Sequence, residues 1–180
     1  MPRLAAILAI IAMSVLARPL QAQEGRNYPV FNSDGWVVGF TTPTPGDQQC
    51  RAIAMGETSV SFIVRPTGRT PTIFVTNSNW RPSPAMEGTV TFQGLGMSMA
   101  LPMEWYIDFD PRWTGENALG ARLSEAQAQQ FMPFLIEILA GAQGQTPIQV
   151  TLPDGRRFAF NSASDAAGRA VVDCTRRFAR

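Results

Sequence analysis

The hydrophobic pattern of the chain changes twice. Leu4 to Leu16 is an almost unbroken apolar run of thirteen residues preceded by Arg3. From Trp36 to Phe109, short runs of Val, Ile, Phe and Thr are separated by Gly, Pro, Asn and Asp. Beyond Gly120 the apolar residues recur at helical spacing. The middle section predicts antiparallel strands and the last section helices.

The spacing predicts strands at Trp36 to Thr41, Gln49 to Met55, Ser59 to Arg65, Thr72 to Asn77, Thr89 to Gln93 and Glu104 to Phe109. Val60, Phe62 and Val64 alternate with Ser59, Ser61 and Ile63, so one face of that strand reads as apolar. Gly56-Glu57 suits a hairpin link. In the last of these strands Trp105, Ile107 and Phe109 share a face, and Glu104, Tyr106 and Asp108 share the other.

After Gly120, Ser124 followed three residues later by Gln127 forms a capping box. Phe131, Leu135, Ile138 and Leu139 continue at helical spacing, and Gly141 ends the helix. Pro133 removes a backbone donor and crowds the preceding turn, so a kink or a split into two helices is expected there. Pro147 to Leu152 and Arg156 to Asn161 form a hairpin over Pro153-Asp154-Gly155. Ser164 caps a final helix with Asp165 in its first turn and Arg176 and Arg177 in its last, as the helix dipole favours. Its apolar stripe is Ala167, Ala170, Val171, Cys174 and Phe178. The expected class is α+β: an antiparallel β-rich domain, sandwich-like or barrel-like, with a late helix, a β-hairpin and a C-terminal helix.

The first apolar run is shorter than the roughly twenty residues a membrane-spanning helix needs, and it follows a basic residue. Residues 1–22 are therefore read as a cleaved secretory signal, with Ala22 or Ala17 at the cut. Residues 23–29 are expected to be a flexible leader and 30–180 a single globular domain with no integral membrane segment after cleavage. The location implied is the periplasm or the exterior of a bacterial cell.

Composition narrows the function. Removing 1–22 takes away Arg3 and Arg18, leaving thirteen arginines against fourteen carboxylates, a net charge of −1. A chain this close to neutral lacks the basic stripe of a nucleic-acid binder. It contains no His, which excludes Ser-His-Asp and Cys-His catalysis within the chain and removes the commonest ligand of zinc, copper and haem. No cofactor is implied. Cys50 and Cys174 are the two cysteines, and an exported pair forms a disulfide by default. Closing so long a loop is worth on the order of 4 kcal/mol in the chain-entropy model.

Trp36-Val37-Val38, Cys50-Arg51-Ala52 with the strands after it, the helix ending Ile138-Leu139-Ala140-Gly141, the Arg156 to Asn161 strand and the terminal helix together resemble the invasion-associated locus B family of small alphaproteobacterial periplasmic proteins. The resemblance implies a periplasmic β-rich protein and brings no catalytic or binding motif with it.

Three groups of residues are candidate sites. Met97, Met99 and Met103 could offer thioethers to copper(I), and in a strand Met97 and Met99 face the same way; the competing reading is core filling. Glu104, Asp108 and Asp110 could serve a hydrolase, although Glu104 and Asp108 on a strand lie about 13 Å apart at ~3.3 Å per residue. Trp80 beside Arg81, and Trp113, lie in polar, turn-like stretches where an aromatic ring would stack on a sugar or anchor a protein. Trp36 and Trp105 read as core. The leading expectation is an exported envelope protein with a non-enzymatic binding role toward a partner protein or a cell-wall component, an inhibitor of a hydrolase included. A periplasmic hydrolase and a Met-based copper(I) protein are the alternatives.

Overall fold

The computed structural model describes residues 27–42, 48–65, 71–81, 83–105, 117–140 and 144–177. Ten strands form one antiparallel sheet: β1 (Asn27–Ser33), β2 (Trp36–Thr41), β3 (Gln49–Ala54), β4 (Ser59–Val64), β5 (Thr72–Asn77), β6 (Gly88–Gly94), β7 (Met97–Trp105), β8 (Asn117–Arg122), β9 (Pro147–Thr151) and β10 (Arg157–Asn161). Among the described residues two helices accompany them, α1 (Glu125–Ala140) and α2 (Asp165–Arg176). The class is α+β, as the pattern of periods implies.

The sheet order is β1-β2-β3-β4-β5-β8-β7-β6-β9-β10. The chain meanders through β5, crosses over a short 3-10 turn at Pro84–Met86 to β6, and meanders back until β8 pairs with β5. The β9–β10 hairpin then pairs with the other edge of β6. Phe62 on β4 and Phe160 on β10 have ring centroids 6.3 Å apart. In a flat sheet six strand spacings of ~4.8 Å would hold them about 29 Å apart. The sheet therefore curls over itself, and the Trp36 indole on β2 closes the ends by donating to the Asn161 carbonyl at 3.1 Å.

The core is the inside of that curl. Trp36 stacks on Phe62 and meets Phe160 edge-on, while Phe131 on α1 contacts both Phe92 and Phe134 edge-on. β4 and β5 are buried on both faces. Ser59 and Ser61, on the face expected to be the polar one, are buried. Their hydroxyls are satisfied internally: Ser59 donates to the Gly56 carbonyl and Ser61 accepts from the Arg51 guanidinium. Ile63, Phe74 and Ala118 form a second small cluster on that face.

Cys50 and Cys174 are disulfide-bonded with Cα atoms 5.9 Å apart, and both are buried. The bridge ties β3 to α2, which packs on β1, β2 and β3. Both helix starts are built as their sequences imply. Ser124 and Gln127 exchange backbone-to-side-chain bonds of 2.9 and 3.3 Å, and Ser164 accepts from the Ala167 amide.

Several details differ from the sequence reading. β1 begins at Asn27, so 27–29 of the expected leader already pair with β2. Pro133 does not split the helix, which runs unbroken from Glu125 to Ala140. It sits on the exposed face, where water can satisfy the carbonyl it leaves without a donor. The strand expected at Glu104 to Phe109 is the end of β7, which starts at Met97; 106–109 lie outside the described residues, as do the signal segment, Gly141 and Phe178.

Candidate functional site

Trp80 is 6% exposed. The Asn77 side chain accepts from the Asn79 amide and the Asn77 carbonyl from the Trp80 amide, a tight turn that swings the indole inward against Trp105, ring centroids 6.2 Å apart and nearly perpendicular. The Arg156 guanidinium covers the ring at 5.4 Å and donates to the Met86 sulfur. Arg156 also pairs with Asp154 at 2.7 Å and holds that carboxyl below its ordinary value. Trp80 is thus a packed corner and not an open stacking platform. Arg81 beside it is exposed and donates to the Trp80 carbonyl. Trp113 lies outside the described residues.

Met97, Met99, Leu101 and Met103 alternate along β7 on the face turned to the core, Met103 fully buried and Met97 and Met99 half-buried. Glu104 is exposed on the opposite face; Asp108 and Asp110 lie outside the described residues. Among the described residues, no cluster of three or more Cys, Asp or Glu side chains is placed to hold a metal ion.

The feature that the sequence reading missed lies between the helices. Gly168 on α2 lets the helices meet closely: a Cβ built there would lie 2.6 Å from the Leu139 carbonyl oxygen and 2.8 Å from that of Ala140. The residues of this contact also line a groove of about 500 Å³ between the helices, with Val64 of β4 among its other lining residues. Met132, Leu135, Ile136 and Leu139 line the α1 side, at the i, i+3, i+4, i+7 spacing of one helical stripe. Val171 and Val172 line the α2 side with Asp165, Arg169, Asp173 and Arg176. Such a volume with apolar lining and a few polar groups is typical of a binding site.

Exposure singles this groove out. The large apolar side chains most open to solvent among the described residues are Met55, Ile136 and Val172, at 54%, 54% and 48%. Two of the three line one groove. The rim charges form within-helix pairs, Asp165 with Arg169 and Asp173 with Arg176, and all four side chains are well exposed. Pairs of that kind hold little energy and leave the charges available to a partner. The groove offers apolar area and paired charges, and no nucleophile positioned beside a base. One signal for it was in the sequence: Phe131, Met132, Phe134, Leu135, Ile136, Ile138 and Leu139 cover more of α1 than a single buried stripe requires.

Comparison with protein-family models, curated proteins and solved structures finds no match to this chain.

Proposed function

We propose that this is an exported envelope protein that acts by binding another protein, with the groove between α1 and α2 as its binding surface. The observation that carries the reading is the exposure of both Ile136 and Val172 in the lining of one apolar groove. Contiguous exposed apolar surface is costly in water and marks interaction sites. The apolar start of the chain and the buried disulfide support export to an oxidising compartment. A protein fits the groove better than a cell-wall glycan does. Glycans are held by exposed aromatic faces and dense hydrogen-bonding groups, whereas Trp80 is buried and the groove is lined mainly by aliphatic side chains. Two helices presenting an apolar trough suit a third helix laid along it.

A photo-reactive benzoylphenylalanine in place of Val172 tests this in intact cells, with the same residue in place of Met55 as an equally exposed control. Cross-linking to protein from position 172, abolished by Ile136→Glu and absent from position 55, is the expected result. Equal cross-linking from both positions, or none from 172, would overturn the proposal.

A further inference from the structure

The charges along the groove identify what kind of protein fits it, on the reading that the groove is a protein-binding surface. The α2 side carries Asp165, Arg169, Asp173 and Arg176, in the order minus, plus, minus, plus. Between the first and last the helix rises about 16 Å at ~1.5 Å per residue. Read from the other end, the same row is plus, minus, plus, minus. An identical helix laid antiparallel on this one, about a two-fold axis near residue 171, sets Asp165 against Arg176 and Arg169 against Asp173, each pair occurring twice. A parallel alignment in register sets every charge against its like. Val172, half exposed, falls beside the axis, and Ile136, also exposed, lines the same groove from α1.

We propose that the groove's partner is a second copy of this chain, docked α2 against α2 with two-fold symmetry. The row meets what such a symmetric interface requires, because one surface must complement itself: when residue i contacts j, j contacts i. The within-helix pairs Asp165–Arg169 and Asp173–Arg176 are exposed, so their charges can re-pair across the interface at little cost. The apolar centre between them excludes water on docking. A helix from another protein would need a matching alternation of charge, and a second copy carries it by construction. An apolar small molecule would fill the trough and make no use of the four rim charges, which would stay in their within-helix pairs.

Sedimentation velocity of the exported protein over a range of concentrations, with circular dichroism on each variant to confirm folding, tests this. Wild type should reach a dimer. Arg169→Asp alone, or Asp173→Arg alone, places like charges together twice and should weaken association by about tenfold or more. Mixing those two variants restores both pairs and should recover a dimer containing one of each, and the double variant should dimerise by itself. Val172→Glu should be monomeric while keeping its fold. A wild type that stays monomeric at the highest concentration overturns the proposal, as does a dimer indifferent to the single charge reversals or a mixture that fails to recover. If the wild type is monomeric but position 172 still cross-links a different protein, self-association fails and the groove stands as a binding surface. If neither occurs, both readings fail.

Discussion

Strands β4 and β5 and helices α1 and α2 face the same problem and solve it differently. Each pair carries more apolar side chains than one face can hold. β4 and β5 sit in the middle of the curled sheet, where Val60, Phe62, Ile73 and Val75 enter the main core and Ile63 and Phe74 are buried on the reverse face. The helices send Phe131, Phe134, Leu135, Ile138, Val171 and Cys174 inward but leave Ile136 and Val172 in water. Apolar surface in the strands is consumed by folding, whereas that in the helices is left over after folding. The difference separates residues that hold the molecule together from residues free to meet something else.

Substitutions in the two regions should therefore divide along stability and association. Phe62→Ala on β4 removes a ring with no exposed surface that contacts both Trp36 and Phe160, and should cost about 3–5 kcal/mol in urea denaturation. Replacing Cys50 and Cys174 together by Ala should cost about 2–5 kcal/mol, since the bridge holds α2 to β3 across 124 residues of chain. In the unreduced wild type, a thiol reagent should label neither cysteine even after denaturation. Gly168→Ala should cost about 1–3 kcal/mol, because its Cβ meets backbone carbonyl oxygens of Leu139 and Ala140 that cannot yield without moving the helices apart. A gain in helix propensity of about 1 kcal/mol does not offset that clash. If Gly168→Ala is instead stabilising, the close helix contact that shapes the groove is wrong.

The smallest expected effect lies away from both regions, at the β9–β10 turn. Arg156 lowers the Asp154 pKa by hydrogen bonding to it. A carboxyl lowered in the folded state stabilises fully above its unfolded value, and that stability disappears as pH falls through the folded value. Asp154→Asn should thus be less stable than wild type near neutral pH by at most about 1 kcal/mol, as for a partly exposed pair. The gap should close as pH falls below about 4, the ordinary carboxylate value. Thermal melts of both proteins from pH 7 to pH 2.5 check this.

Much of the fold was legible because its signals are local. Alternation marks β2 to β5, the Asp154-Gly155 turn marks the β9–β10 hairpin, and Ser124, Gln127 and Ser164 mark helix starts. What was missed is of two kinds, local turns passed over and contacts between residues distant in sequence. β1 contains Pro29 and three polar residues without clean alternation; it exists because the Asp34-Gly35 turn, at φ of 56° and 75°, folds it back on β2. The same kind of turn at Leu95-Gly96 starts β7 at Met97, well ahead of Glu104. β8 is half Ala and Gly and begins with Asn117, residues of weak strand preference, and pairing with β5 on one side and β7 on the other makes it a strand. Trp80 sits in a polar stretch, yet Trp105 and Arg156, distant in sequence, enclose it. The groove is harder still to read, because the close approach at Gly168 involves residues almost thirty positions apart.

The most direct test of the central claim separates folding from association in one residue. Val172→Glu places a charge where the side chain is already half exposed, so at a protein concentration too low for association its unfolding free energy in urea should stay within about 0.5 kcal/mol of wild type, as surface changes do. In the same protein, cross-linking from benzoylphenylalanine in place of Ile136, across the groove, should disappear. Unchanged stability with lost cross-linking is the predicted result. Cross-linking that survives the charge, or a Val172→Glu protein that unfolds like Phe62→Ala, would contradict the account.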